Sequence, residues 1–233
     1  MILEIGAIEE FEYREGVIES RGKNATAKDL GGFINSVKAS GGYYFARYEA
    51  SYASGAINNN VLDYSNCKAA SKISILNENI MNYIPGTLWN NITQPNASKV
   101  SINTYSNSSS VISDLVNSYA WDTAIVYIQA AGNINYANKD SVNSVRGNTG
   151  NLGNGLIDEV CKINDMASNC FEYTTESSDG TNETIDWPVM GRGGFYDSAN
   201  DPWDRSYVTF TRLGDCAINM YPSHGFRMIL FMI

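Results

Sequence analysis

The sequence predicts a single α+β domain, and three observations support this prediction. Apolar residues recur at helical spacing in two stretches, one beginning at Leu30 and the other at Ile112. Residues 43–50 have the aromatic composition of a strand, and the segments 192–197 and 225–230 resemble strand edges. Long connections rich in Asn, Ser, Gly and Tyr separate these pieces, which is typical of small sheets joined by irregular loops.

The domain is predicted to span residues 28–233. Residues 1–27 are charged and without periodicity, so we expect a tail or a strand that belongs to a larger parent protein. The first 15 residues contain five glutamates where an export signal requires positive charge, and no apolar run approaches the roughly 20 residues of a spanning helix. We therefore expect a soluble protein that has no signal peptide and does not insert into a membrane.

The charge balance excludes two classes of partner. The 233 residues carry a formal net charge of −9, and the sequence pI is about 4.6. A nucleic-acid-binding protein needs a basic surface that displaces counterions from phosphates, and an anionic membrane attracts the same kind of surface. We therefore expect neither nucleic acid nor a charged membrane as a partner.

The first helix and strand follow each other directly. Leu30, Phe33 and Val37 share a helical face behind a Thr26 cap, and the Gly-Gly pair at residues 41–42 ends the helix. Residues 43–50 then read as a strand with two largely apolar faces, which favours a central position in its sheet.

The middle of the chain predicts loops and one further long helix. Residues 51–110 are too poor in apolar side chains for a core of their own, so we expect surface excursions around an amphipathic piece at residues 73–84. The second helix is predicted from Ile112 through Tyr119 to Ile128, with Gly132 as a left-handed cap. The glycine-rich segment 147–155 favours a flexible loop over a phosphate cradle or a calcium loop.

The Trp-Asp pair at residues 121–122 and the four cysteines can each be interpreted as chemical or as structural features. The pair Trp121-Asp122 is interpreted as a core tryptophan beside an aspartate at a helix start, in preference to a catalytic pair. The four cysteines show no C-x-x-C spacing, so no zinc site is predicted, and buried free thiols are favoured over one or two disulfides. They are Cys67, Cys161, Cys170 and Cys216.

Several ordered motifs resemble those of the formylglycine-generating-enzyme-like, or sulfatase-modifying-factor, domain. They are GYYFARYEAS (residues 42–51), AWD (120–122), NDMASNCFEYT (164–174), RGG (192–194) and GFR (225–227). The resemblance covers roughly residues 30–233 and implies a variant of the C-type lectin fold, with two main helices packed on small twisted antiparallel sheets. Within these motifs we assign Arg192, Gly193, Gly194, Phe226 and Arg227 to the scaffold, because the glycines allow close strand approach and we expect the arginines to pair with buried carboxylates such as Glu49 or Glu172.

The departures from this family argue against its enzymatic activities. Its oxidase members bind copper with a pair of C-terminal cysteines, whereas only Cys216 lies between Arg192 and the end of this sequence. The related iron-dependent enzymes use several histidines, and this chain has one, His224. We therefore predict no enzymatic activity, no metal and no cofactor, with a divergent oxidase as an alternative.

Other catalytic arrangements have little support from sequence. A Ser-His-Asp arrangement has to recruit His224, and no motif places a nucleophile beside it. Asp201 and Asp204 form a carboxylate pair, but an acidic protein contains such pairs by chance.

With the enzymatic members set aside, the chain resembles the variable proteins of diversity-generating retroelements. In these proteins a lectin-like scaffold displays a hypervariable C-terminal surface. Aromatic residues alternate with short polar residues across segment 191–227, as they do in antibody paratopes. We expect a ligand-binding surface there, formed by Phe195, Asp197, Ser198, Asn200, Trp203, Asp204, Tyr207, Thr209, Asn219, Tyr221 and His224. An ordinary structural role for these residues is the competing interpretation.

The resemblance to these variable proteins also implies a location and a binding partner. We expect a phage virion tail or a bacterial cell as the location, and a protein or glycan receptor on a cell surface as the partner. An oligomer formed through a parent tail assembly is compatible with it. A purely structural tail component is a further alternative.

Overall fold

The computed structural model describes residues 30–58, 61–71, 85–86, 88–134, 136, 159–177, 189–195, 212–215 and 218–233. These residues form three helices, α1 (Leu30–Ser40), α2 (Gln94–Thr104) and α3 (Ser118–Ala131). The strands are β1 (Tyr44–Phe45), β2 (Ala50–Asn58), β3 (Val61–Ser71), β4 (Val111–Leu115), β5 (Glu159–Val160), β6 (Ile163–Asn164), β7 (Phe171–Ser177), β8 (Val189–Arg192), β9 (Arg212–Asp215), β10 (His224–Phe226) and β11 (Met228–Met232). The architecture agrees with the predicted α+β class.

The described strands form two sheets and two isolated pairs. The first sheet is antiparallel, with β11 between β1 and β4. The second has the order β10-β7-β8-β9, while β2 pairs with β3 and β5 with β6. The β10–β7 pair is parallel, so the prediction of purely antiparallel sheets is wrong there. Only Arg227 separates β10 from β11, and the direction of β10 therefore follows from that of β11.

Strand β11 lies between two apolar cores. The first core joins α1 and α3 to one side of β11, through Phe33, Tyr119, Trp121, Ile229 and Phe231. The second joins the β2–β3 pair and α2 to the other side, through Tyr52, Trp89, Val100, Phe226 and Met228. Trp121 is fully buried in the first core, as predicted for a core tryptophan. Because successive side chains of β11 point to opposite faces of the sheet, this one strand packs against both cores.

The stretch at residues 43–50 is not one central strand. Tyr44 and Phe45 form an edge strand that pairs only with β11, and the Tyr44 side chain is exposed. After Phe45 the backbone leaves the sheet, so that the Arg47 carbonyl accepts from Asn164 N–H at 2.9 Å. Glu49 is buried outside any strand. The strand ends after Phe45 because the chain turns to bury the Glu49 carboxylate, and the aromatic pattern of the sequence does not indicate this end.

The predicted helix starting at Ile112 begins six residues too early, because Val111–Leu115 is strand β4. Asn117 caps α3, its side chain accepting from the Ala120 backbone N–H at 2.8 Å. The apolar spacing across β4 and the start of α3 matches a helix only by coincidence. Gly132 does end α3, but with φ −122°, so the predicted left-handed cap is wrong.

Residues 51–110 contain more regular structure than predicted. They contribute the β2–β3 pair and helix α2, whose buried side includes Gln94, Ser98 and Ser101. The hydroxyl of Ser101 donates to the Ala97 carbonyl at 2.8 Å, which satisfies a polar group inside the core. A helix that buries hydroxyls and amides has no apolar stripe, so hydrophobic periodicity does not reveal it.

Several predictions concern residues outside the described ranges. They include the tail at residues 1–27, the Thr26 cap, the amphipathic piece at 73–84, the loop at 147–155 and Cys216. Among the described cysteines, Cys67, Cys161 and Cys170 are free thiols, and two of them are buried. No described helix has the length and apolar character needed to cross a membrane.

Candidate functional site

The C-terminal surface rests on a buried ion pair between Arg227 and Glu172. Arg227 Nη2 donates to Glu172 Oε1 at 2.6 Å, and Nε lies 3.0 and 3.1 Å from the two carboxylate oxygens. The remaining donors reach the carbonyl oxygens of Ala46 at 2.9 Å and Asn164 at 2.7 Å. Both charged side chains are fully buried, which confirms that Arg227 pairs with a buried carboxylate.

Two further carboxylates surround this pair. Glu49 accepts from the Cys170 backbone N–H at 2.9 Å and from the side-chain amide of Asn169. Burial raises the pKa of Glu49 well above its ordinary value, and the charges of Glu172 and Asp165 raise it further against the effect of Arg227. Burial lowers the pKa of Arg227, but the surrounding carboxylates outweigh this and raise it. The guanidinium therefore stays charged.

A second group of charges fixes the neighbouring strands. Arg192 on β8 pairs with Asp122 on α3, so its predicted pairing with Glu49 or Glu172 is wrong. Asp122 lies beyond the first turn of α3, and its role is this ion pair rather than that of a helix-start aspartate. Arg212 on β9 pairs with Glu176, whose other oxygen accepts from a serine hydroxyl at the start of α3.

Gly193 shows how closely this framework is packed. Its φ is +86°, and an added Cβ would lie 2.7 Å from the Met166 carbonyl oxygen and 3.2 Å from the Trp121 ring. The predicted scaffold role of the RGG segment therefore has a steric basis, since only glycine combines this φ with this approach.

Most of the predicted binding residues lie outside the described ranges. These are Asp197, Ser198, Asn200, Trp203, Asp204, Tyr207 and Thr209. Phe195, Asn219, Tyr221 and His224 are described. Phe195 is half-buried just beyond β8, and the other three lie on or just before β10.

Asn219 and Tyr221 are joined to each other and to the framework. The Asn219 side-chain amide donates to the Tyr221 hydroxyl at 2.7 Å, and the Tyr173 hydroxyl donates to the Asn219 carbonyl at 3.4 Å. The Tyr221 carbonyl accepts from the backbone N–H groups of Asn91 at 3.2 Å and His224 at 3.1 Å. Tyr221 is therefore held at its backbone while part of its ring remains accessible.

His224 is enclosed rather than displayed. Its ring centroid lies 4.7 Å from that of Tyr221, 5.2 Å from Phe171 and 5.3 Å from Tyr173. Nε2 pairs with Asp215 Oδ2, and Nδ1 lies 3.0 Å from the Ser223 hydroxyl oxygen. Only 12% of the His224 side chain and 14% of the Asp215 side chain are accessible. The ring links β9 to β10 beneath the surface.

Sequence reasoning missed two exposed apolar side chains at this surface. Ile218 is 77% exposed and Met220 is 56% exposed, on either side of the exposed Asn219. Contiguous exposed apolar patches mark contact surfaces, and Ile218 and Met220 lie two positions apart in the chain. Their alternation with Asn219 is visible in the sequence, but the paratope-like pattern consists of aromatic and polar residues and does not include them.

A separate apolar cavity of about 110 Å³ lies against the other sheet. It is lined by Tyr44, Phe45, Ala46, Ala70, Ser71, Tyr105, Met228 and Leu230. This set shares no residue with the predicted binding surface. Within the described ranges, no group of three His, Cys, Asp or Glu side chains is placed to hold a metal ion.

Comparison with known proteins finds no family model and no curated protein that matches the chain.

Replacing Arg227 is expected to destabilise the fold severely. Arg227→Met leaves the buried Glu172 carboxylate without its charged partner, which typically costs about 3–5 kcal/mol in the free energy of unfolding. The matched control is Arg47→Met, because Arg47 forms an exposed ion pair with Glu159 at 3.3 Å. The control should lose less than about 1 kcal/mol. Urea denaturation of both variants measures the difference, and equal losses would contradict the assigned role of Arg227.

Glu49 should make stability depend on pH. Its folded pKa lies above the unfolded value of 4.5, so its contribution is complete below pH 4.5 and decreases as pH rises through the folded pKa. Glu49→Gln cannot ionise, so the variant's stability relative to wild type should improve from pH 4.5 to pH 8. Each unit of pKa difference corresponds to about 1.4 kcal/mol.

Chemical denaturation at several pH values measures this change. Glu172 is present in both proteins, but its charge and that of Glu49 repel each other, so the change measured is that of the coupled pair. Glu159→Gln, an exposed carboxylate on β5, serves as the control. A stability difference between Glu49→Gln and wild type that stays constant with pH would show that Glu49 keeps an ordinary pKa.

Proposed function

We propose that this chain is a non-enzymatic display protein that binds a receptor through its C-terminal surface, residues 191–227. The observation that carries the proposal is the exposed group Ile218, Asn219 and Met220, which precedes Tyr221. Exposed apolar side chains cost solubility unless a partner covers them, so their presence favours a contact surface. The expected partner is a protein or glycan on a cell surface.

The framework beneath this surface supports a binding role. Tyr221 and Asn219 are held by hydrogen bonds to residues of other segments, and the enclosed His224 ring joins β9 to β10. A surface whose backbone is fixed before binding loses less conformational entropy when the partner arrives. Contact residues can then change without changing the fold, because the buried charges lie below them.

We further propose a C-type lectin-like fold of the formylglycine-generating-enzyme type, used as in the variable proteins of diversity-generating retroelements. The ordered motifs support this proposal, and so does the contact between two of them. Arg227 of the GFR motif binds Glu172 of the NDMASNCFEYT motif. A phage tail or a bacterial cell is the setting that this family assignment favours, with oligomerisation through a parent assembly.

Binding should depend on the exposed apolar pair. The double variant Ile218→Ser/Met220→Ser is tested on a glycan array and on bacterial cells. It is expected to lose at least about tenfold in affinity, because two apolar side chains that the partner covers contribute this much or more. Tyr127→Ala provides the control, because Tyr127 is an exposed residue on α3. If wild type binds and the double variant binds equally well, the proposed surface is wrong.

Sequencing of the gene across its natural population tests the diversification proposal separately. Codons for positions 197, 200, 204 and 219 should vary, while those for 192–194 and 225–227 should not. A nearby repeat that differs from the gene only at adenines is expected beside a reverse transcriptase gene. A uniform segment without such a repeat would favour a fixed-ligand protein or a structural tail component.

Copper-dependent oxidation of a cysteine-containing peptide would instead favour the divergent oxidase.

A further inference from the structure

Ser223, His224 and Asp215 form a connected series of polar side chains at the edge of the second sheet. Ser223 Oγ lies 3.0 Å from His224 Nδ1, and His224 Nε2 contacts the Asp215 carboxylate. A hydroxyl within hydrogen-bond reach of a base that a third group orients is the arrangement that activates a serine nucleophile. We propose that Ser223 is an activated nucleophile that accepts acyl groups from activated carboxylic esters.

The hydrogen bonds define the direction of proton transfer. In the tautomer whose Nε2–H donates a hydrogen bond to Asp215, the Nδ1 lone pair of the ring faces Ser223. The Ser223 hydroxyl then donates to Nδ1. Asp215 is therefore a positioning residue, because it acts through the histidine and not on the substrate.

The surroundings of the histidine favour this arrangement. Phe171 and Tyr173 on β7 and Tyr221 before β10 pack around its ring, so water has little access to the pair with Asp215. Charge interactions are stronger where water is excluded. Among the described residues, Asp215 on β9, Tyr173 on β7 and Tyr221 are titratable groups in contact with the ring. Ser223 itself is half-exposed, so a reagent can reach its hydroxyl.

The proposed step balances without a further reactant. Ser223 Oγ attacks the carbonyl carbon of the ester, and its proton passes to His224 Nδ1. The bond from the carbonyl carbon to the leaving alcohol breaks, and the alcohol oxygen takes the proton from Nδ1. The product is an acyl ester on Ser223, and the ring returns to its neutral form.

A fluorophosphonate probe tests the proposal, because it reacts with activated serine hydroxyls and releases fluoride. The full chain is treated at pH 7.5, and peptide mass spectrometry measures the labelling rate at each serine. Ser223 should react at least about 100-fold faster than Ser106, as expected for general-base assistance. Ser106 is the internal reference, since its exposed hydroxyl also donates a hydrogen bond, but to the Asn103 carbonyl and side-chain amide oxygens.

Variants distinguish activation from mere exposure. His224→Gln should reduce the Ser223 rate to that of Ser106. Asp215→Asn should lower the rate, with partial recovery in Asp215→Glu. Thermal unfolding confirms that each variant is folded.

Equal rates at Ser223 and Ser106 in the wild-type chain would overturn the proposal, whatever the variants do. The three side chains would then be a structural link between β9 and β10. This inference does not depend on the proposed receptor, because the probe reports on Ser223 in the unbound protein.

Discussion

The guanidinium of Arg227 is the group on which the rest of the fold depends. It lies between β10 and β11, and its donors reach Glu172 on β7, Asn164 on β6 and the chain just after β1. Its own carbonyl accepts from Val116 N–H at 2.9 Å, at the end of β4. A buried guanidinium is tolerated only when its charge and its donors are matched, so these segments must meet in one geometry. The position where the chain passes from one sheet to the other is thereby fixed.

This constraint separates the framework from the surface that it carries. Ion pairs with at least one buried partner fix β7, β8 and β9, whereas Ile218, Asn219 and Met220 lie on the connection that follows β9 and face solvent. Substitution at the exposed positions leaves the buried charges matched. The fold can therefore present different contact residues on the same backbone.

Sequence reasoning succeeded where one segment contained the whole signal. The apolar spacing of α1 was predicted correctly, and Glu172, the partner of Arg227, was one of two carboxylates named as examples for the arginines. It failed where tertiary contacts decide. β4 was assigned to a helix because its buried side continues the spacing of α3, and α2 was missed because most of its buried side chains are hydroxyls or an amide. The surroundings of His224 come from three separate segments, and no local pattern encodes them.

The central position of β11 also determines the order of folding events. Without β11, strands β1 and β4 have no partner in their sheet, and the contact from Arg227 to the Ala46 carbonyl spans 181 positions in the chain. Contacts between such distant residues form slowly, because the entropy of closing the chain is lost before the contact stabilises anything. Until they form, β1 and β4 expose unpaired backbone edges that can pair with another molecule. The concentration of partly folded chains should therefore control the yield of native protein.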